Sequence, residues 1–223
     1  ALGGTYSELK AGERTGLNPL WTETDTAGQE WLSDWLIHLM ESGHSPLQPE
    51  QSRAVRHAVR QNAEVRNPRL RTWSQFAQLV GATHDGGALA DRMNEWTAGH
   101  RFGWIFGNTT EDTFSLDGEV VGFDLTEILD TDNATARMAV LSYIFRRIER
   151  QIEDRRPTIV LVDEAWKAFD NPYFARKLED WLVTARKQNT VVVMMTQFAS
   201  QLERTSILQA LPTQVLLPNT RAK

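Results

Sequence analysis

The fold of this chain is indicated most clearly by the segment Ile159-Val160-Leu161-Val162-Asp163-Glu164-Ala165-Trp166. Four consecutive aliphatic residues, with no polar residue between them, predict a β-strand that is buried on both faces, as strands of a parallel sheet are. The pattern then repeats, with a helix predicted at about 173–187, a second aliphatic run at 191–195, a helix at 198–210 and a third strand near 215. Strands and helices that alternate in this way predict an α/β fold with a mainly parallel sheet.

Two acids, Asp163 and Glu164, directly follow the first of these strands. In open α/β sheets, ligands bind at the carboxyl ends of the strands. Nucleotide hydrolysis needs one carboxylate to hold hydrated Mg²⁺ and another to orient or deprotonate water, and successive residues of a strand point to different sides. We therefore expect Asp163 to bind the metal through water and Glu164 to activate the attacking water. The alternative is that both acids simply end a strand before a turn.

Polar and basic residues accompany the second strand. Thr196 and Gln197 follow it, and we expect Gln197 to sense the γ-phosphate and Thr196 to contact the nucleotide, unless both only start the next helix. Arg186 and Lys187 end the preceding helix, where the helix dipole alone favours cations. The functional interpretation is that Arg186 reaches the phosphate of a neighbouring subunit, since a planar guanidinium suits spread phosphoryl charge, and that Lys187 contacts nucleotide.

The composition excludes several classes of protein. A net charge of −5 over 223 residues provides no overall basic field for nucleic acid. The chain has no cysteine, hence neither disulfides nor thiolate metal sites, and its five histidines lack the spacing of metal ligands. No apolar run reaches the roughly 18–20 residues that a membrane-spanning helix needs.

A phosphate-binding loop of the form G-x-x-x-x-G-K-[ST] is missing from the sequence. Gly3-Gly4 and Gly86-Gly87 are not followed by the required Lys and Ser/Thr. The sequence starts at Ala1 without an initiator methionine and stops abruptly at Lys223, so we expect a fragment that shares its function with other residues. On its own, this fragment should not hydrolyse ATP.

Residues 25–110 have a helical pattern. An apolar stripe predicts one helix around Trp31–Leu39, Pro49 starts a second, Thr72 caps a third, and two glycines precede a fourth at about 88–96. Most tryptophans of this zone are expected to fill a core, although an exposed aromatic patch could dock a partner. Six arginines between Arg53 and Arg71 predict a solvated helix face, with nucleic-acid contact as the less favoured alternative.

Two further patterns lie between this zone and the decisive strand. Asp117-Gly118, flanked by apolar runs, predicts a β-hairpin. A long helix is predicted at about 134–154 and ends before Pro157. Arginines in and after its last turns alternate with acids and are expected to form surface ion pairs; they are Arg146, Arg147, Arg150, Arg155 and Arg156.

Taken together, these motifs resemble the VirB/TrbE/CagE group of conjugative-transfer and type IV secretion ATPases. The matching positions are Leu161 to Trp166, Phe174 to Leu182, Arg186-Lys187-x-Asn189, Thr196-Gln197, Gly3-Gly4-x-Tyr6, Leu17-Asn18-Pro19-Leu20 and Leu217-Pro218-Asn219. The resemblance implies a RecA-like P-loop NTPase core made of residues 1–24 and 111–223, with residues 25–110 as an all-α insertion. It also implies a phosphate loop upstream of the Gly-Gly-x-Tyr segment.

The resemblance further implies a motor ATPase that uses ATP and Mg²⁺ to energise a bacterial type IV secretion or conjugation apparatus. Such a motor would work in the cytoplasm at the inner membrane, as a hexameric or dimeric assembly of itself, in contact with other secretion components and with a DNA or protein substrate. One alternative is a DNA-pumping coupling protein or FtsK-like translocase of the same fold, and another is a non-hydrolysing scaffold. The net negative charge and the Asp-Glu-Ala-Trp motif favour the secretion motor over the DNA pump.

Overall fold

The computed structural model describes residues 3–82, 86–107, 111–164, 172–196, 211, 213–215 and 217. The elements are, in chain order, β1 (Thr5–Glu8), α1 (Pro19–Thr22), α2 (Thr26–Glu41), α3 (Pro49–Glu64), α4 (Trp73–Gly81), α5 (Gly86–Asn94), β2 (Val121–Asp124), α6 (Thr126–Asp130), α7 (Ala134–Ile152), β3 (Thr158–Val162), α8 (Pro172–Ala185) and β4 (Thr190–Met194). Single 3-10 turns lie at Pro68–Leu70 and Arg186–Gln188. The chain divides into two compact units, Ala1–Ile144 and Phe145–Lys223. None of the described helices combines the length and the apolarity needed to cross a membrane.

Side-chain caps and a proline mark the starts of three helices in the first unit. The carboxylate of Asp25 accepts the N–H of Gly28 at 2.7 Å and starts α2. Pro49 is the first residue of α3, and the hydroxyl of Thr72 accepts a backbone N–H at 3.2 Å at the start of α4. Each side-chain cap satisfies a donor that the helix leaves unpaired and stabilises it by about 1 kcal/mol. The predicted starts of α3 and α4 are confirmed, and α2 contains the helix predicted around Trp31–Leu39.

An aromatic cluster forms the core of the first unit. Trp35, Trp73 and Trp96 are 3%, 1% and 2% exposed. Trp73 stacks on Phe106 with ring centroids 4.9 Å apart, and Trp35 meets the same ring edge-on at 5.3 Å. Aromatic pairs of this kind add about 0.5–1.5 kcal/mol each beyond the area that they bury. The prediction that tryptophans of this zone fill a core is confirmed for these three residues.

The small sheet of the first unit pairs β1 with β2 in parallel, Thr5 opposite Val121. The predicted hairpin at Asp117-Gly118 is therefore wrong, because β2 takes its partner from the start of the chain. A Cβ on Gly4 would lie 2.6 Å from the carbonyl oxygen of Val120, so this close approach requires glycine. The Asp117 turn is instead closed locally by its own N–H, which donates to the hydroxyl of Ser115 at 3.0 Å.

A polar network joins the segment before α1 to α7 within the same unit. Asn18 is fully buried, and its amide group accepts from the N–H of Leu20 and donates to the carbonyl of Arg71, both at 3.2 Å. The carboxylate of Asp112 accepts the backbone N–H of Asn18 at 2.9 Å and the hydroxyl of Tyr143. Buried polar groups need such partners, so the network fixes these three segments relative to one another.

The second unit contains the β3-α8-β4 sequence, whose two strands pair in parallel with Thr158 opposite Thr190. The parallel pairing of the two aliphatic runs is confirmed. Burial of β3 on both faces is wrong, since Ile159 and Leu161 are 69% and 65% exposed. Alternate strand residues point to opposite faces, and the described elements of this unit cover one face only.

The end of the chain agrees less well with the predictions. The helix predicted at 198–210 lies outside the described residues. Residues 213–215 and 217 are not in a strand, and Val215 and Leu217 are 79% and 81% exposed, so the predicted third strand is wrong at these positions. The division into a core of 1–24 and 111–223 around an insertion of 25–110 stays a prediction.

Candidate active site

Asp163 and Glu164 stand directly after the last residue of β3. The Oδ1 atom of Asp163 accepts the backbone N–H of Glu164 at 2.8 Å, and the Asp163 side chain is exposed. Glu164 has a φ of 47°, in the left-handed region that few residues other than glycine adopt. The backbone therefore turns sharply as soon as the strand ends, and the turn holds one oxygen of the Asp163 carboxylate.

Thr196 lies at the same edge of the sheet. The N–H of Met195 donates to the carbonyl of Val162 at 2.9 Å, so strand pairing continues one residue past β4. β3 ends at Val162 opposite the last residue of β4, Met194, so Thr196 follows β4 at the edge where Asp163 and Glu164 follow β3. The structure thus brings three of the predicted site residues to one edge. The fourth residue predicted there, Gln197, lies outside the described residues.

Arg186 and Lys187 lie at the opposite edge. Both are exposed and belong to the 3-10 turn that leads into the amino end of β4. At about 3.3 Å per residue, a five-residue strand separates the two edges by roughly 13–17 Å. Neither cation is therefore close to Asp163 of its own chain.

The turn at Asn189 connects two segments of this amino edge. Asn189 has a φ of 56°, its N–H donates to the carbonyl of Arg186 at 3.3 Å, and its Nδ2 donates to the carbonyl of Arg155 at 3.4 Å. Asparagine tolerates this left-handed conformation better than most residues. The sequence predicts only surface ion pairing for Arg155, because the contact that places it beside Arg186 depends on the tertiary structure.

Ion pairing of the arginines around the end of α7 is confirmed in part. Nε of Arg156 lies 2.5 Å from Oδ2 of Asp154, and Nη1 of Arg150 lies 3.4 Å from Oε2 of Glu153. Arg155 was expected to pair as well, but no acid among the described residues lies within ion-pair distance of it, so this prediction is wrong. Arg155 itself has a φ of 60°, which lies in the left-handed region of backbone conformation.

The carboxyl edge fits the metal and water half of a nucleotide site. No group of three or more histidines and acids among the described residues could hold a metal ion on its own. Magnesium commonly keeps several waters and takes one or two carboxylates together with phosphate oxygens, so the exposed carboxylate of Asp163 is a suitable ligand. The phosphates have no Gly-rich cradle in this sequence. The residues present therefore fit only part of the site.

The arginines between Arg53 and Arg71 are occupied largely by contacts within the protein. The guanidinium of Arg71 donates to the carbonyls of Ala63 and Val65 at 3.2 and 3.0 Å, and so caps the carboxyl end of α3. Arg53 and Arg56 pair with Glu50 and Asp34, at 2.5 and 2.7 Å. These contacts support the interpretation of a solvated helix face.

Comparison with known proteins gives consistent results, although no family model matches the chain. The chain is 30% identical to the type IV secretion system protein virB4 of Bartonella henselae, over 99% of this chain and 28% of that protein. It is 34% identical to the type IV secretion system protein PtlC of Bordetella pertussis, over 100% of this chain and 28% of that protein. It is 28% identical to the conjugal transfer protein TrbE of Rhizobium radiobacter, over 100% of this chain and 26% of that protein. The chain spans about a quarter of the length of these relatives.

A solved structure supports the fold. The chain is similar to VirB4 of Thermoanaerobacter pseudethanolicus with a TM-score of 0.64 and 19% identity, over 92% of this chain and 61% of that one. At this identity the similarity shows the fold, and it confirms the predicted class, an α/β RecA-like core with parallel strands. The sequence relatives extend over nearly the whole chain. The chain therefore belongs to the family of the VirB4, PtlC and TrbE proteins of type IV secretion and conjugal transfer.

Proposed function

We propose that the full-length protein is a motor ATPase of a type IV secretion or conjugation system, and that this chain supplies the metal and water half of its nucleotide site. The observation that carries the proposal is the placement of Asp163, Glu164 and Thr196 at one edge of the β3–β4 pair. Membership of the secretion family supports it. The phosphate loop lies in another part of the full-length protein.

Each residue at the carboxyl edge has a separate role. Asp163 holds hydrated Mg²⁺ with the carboxylate that the N–H of Glu164 orients. The carboxylate of Glu164 orients the attacking water and takes its proton, and Thr196 donates a hydrogen bond to the nucleotide. Gln197 is assigned to sensing the γ-phosphate. Bound Mg²⁺ supplies positive charge that offsets the charge on the transferred phosphoryl group.

The basic residues act between subunits in this proposal. Arg186 and Lys187 lie at the amino edge, so they serve the nucleotide held by a neighbouring copy. Guanidinium contact with transferring phosphate accelerates hydrolysis by about 10³–10⁵ in known nucleotide hydrolases. We infer an assembly of copies of this protein that works with other secretion components at the cytoplasmic face of the inner membrane.

The metal role of Asp163 is tested by the magnesium dependence of ATP hydrolysis. In the full-length protein, Asp163→Asn removes the anionic ligand, so half-maximal turnover should require at least about tenfold more Mg²⁺, since charged hydrogen-bond partners contribute about 1.5–3 kcal/mol. Asp180→Asn, the same change at an exposed position of α8, should leave the dependence as it is. An unchanged magnesium curve for Asp163→Asn contradicts the assignment.

A further inference from the structure

Three cations lie exposed at the amino edge of the β3–β4 pair: Arg155, Arg186 and Lys187. Asn189 holds the first two together, since its N–H donates to the carbonyl of Arg186 at 3.3 Å and its Nδ2 donates to the carbonyl of Arg155 at 3.4 Å. The N–H of Thr158 also donates to the carbonyl of Asn189, at 3.2 Å. Two loops that are far apart in sequence are thereby fixed side by side.

The two acids that precede Arg155 in sequence are already paired with other arginines. Glu153 lies 3.4 Å from Arg150, and Asp154 lies 2.5 Å from Arg156. Within the part of the chain that the structure describes, no acid lies within ion-pair distance of the three cations. A local group of uncompensated positive charges attracts anions, and guanidiniums bind phosphate oxygens in a bidentate manner.

The opposite edge of the same two strands has the complementary charge. Asp163 and Glu164 are placed there, and the bound nucleotide adds further negative charge. The strands separate the two edges by roughly 13–17 Å, so the cations cannot reach the carboxylates of their own chain. A head-to-tail contact between two copies brings the edges together, and such heterologous contacts form rings or filaments.

We propose that Arg155 is a second guanidinium that acts between subunits, beside Arg186. The amino edge of one copy docks on the carboxyl edge of the next, and both guanidiniums bind phosphate oxygens of the nucleotide held there. Lys187 adds charge to the same surface. This inference rests on the proposed function, because the nucleotide at the carboxyl edge is the anion that Arg155 contacts.

Arg155→Asn in the full-length protein tests the inference. Asparagine adopts a positive φ readily, so it replaces the guanidinium without new strain at a residue whose φ is 60°. Losing one charged contact should lower ATP turnover roughly 10- to 100-fold, with ATP binding by the isolated subunit retained. Arg156→Asn, at the neighbouring position that pairs with Asp154, should stay near wild type. Wild-type turnover of Arg155→Asn, or equal loss in both variants, overturns the inference.

Mixing of variants tests whether Arg155 acts on a neighbour. Glu164→Gln subunits lack a working carboxyl edge but keep a working amino edge, and Arg155→Asn subunits have the reverse. Mixed assemblies should therefore recover turnover above that of either variant alone. If Glu164→Gln abolishes turnover but the mixture shows no recovery, the inference about Arg155 is wrong while the proposed function stands. If Glu164→Gln has wild-type turnover, the proposed function itself is wrong.

Discussion

Replacing Tyr143 by phenylalanine should destabilise the first unit through the loss of one hydroxyl. Tyr143 is fully buried, and its hydroxyl donates to Oδ2 of Asp112 and lies 2.8 Å from the hydroxyl of Thr22. The same Oδ2 atom accepts the N–H of Asn18 at 2.9 Å. The substitution removes no ring and opens no large cavity, so the hydrogen bonds dominate its effect.

The size of this destabilisation depends on the charge and the exposure of the acceptor, the carboxylate of Asp112. A hydrogen bond to a charged group contributes about 1.5–3 kcal/mol to stability. Asp112 is half-buried and still accepts the N–H of Asn18 in the variant. The free energy of unfolding of Tyr143→Phe should therefore fall by an amount near the lower end of this range, about 1.5–2 kcal/mol. Tyr6→Phe is a matched control, because Tyr6 also donates to an aspartate, Asp124 at 3.0 Å, but is 69% exposed. The unfolding free energy of Tyr6→Phe should stay close to that of the wild type, because substitutions at exposed positions have small effects.

Urea unfolding of the full chain, followed by tryptophan fluorescence, measures both free energies. Trp35 reports on the relevant core, since its ring centroid lies 6.4 Å from that of Tyr143. Equal unfolding free energies for Tyr143→Phe and Tyr6→Phe would show that the buried network does not stabilise this unit.

Other perturbations test separate contacts of the first unit. Thr72→Ala removes the hydroxyl that caps α4 and should lower the unfolding free energy by about 1 kcal/mol in urea, whereas Ser74→Ala, exposed in the same first turn, should not. Asp124 accepts hydrogen bonds from Thr126 and then Tyr6, which hold the pKa of its carboxyl below the ordinary value. A lowered pKa stabilises the fold above the unfolded-state pKa, and this contribution is lost as pH falls through the folded-state pKa. Tyr6→Phe should therefore raise the pKa of Asp124 in an NMR titration, and an unchanged pKa contradicts the role of the tyrosine hydroxyl.

The parts of the fold that depend on local chemistry could be predicted from the sequence. Pro49 and Thr72 mark helix starts by their own backbone and side-chain properties, and the aliphatic runs before Asp163 and Thr196 identify parallel strands. Pairings between distant segments could not be predicted. The partner of β2 is β1, which no local signal indicates, and Asp117-Gly118 favoured a hairpin instead.

The candidate site shows the same division. The carboxyl edge followed from strand order alone, because parallel strands end at the same side of a sheet. Arg186 was identified by residue type, but its position at the far edge follows only from where β4 begins. Arg155 was not identified as a site residue, because its position beside Arg186 depends on a hydrogen bond from the distant Asn189. The acids that alternate with arginines around it suggested a simple ion pair instead.

Glu164→Gln in the full-length protein tests the proposed role of Glu164 as the residue that activates water in ATP hydrolysis. Glutamine keeps the size of the side chain and removes its basicity, so the dissociation constant for ATP should stay near wild type while turnover falls by about 10²–10⁴. Glu153→Gln, an exposed glutamate of the same unit, is the control. The proposed role of Glu164 predicts normal ATP binding with lost hydrolysis for Glu164→Gln alone. Turnover within a few-fold of wild type would contradict it.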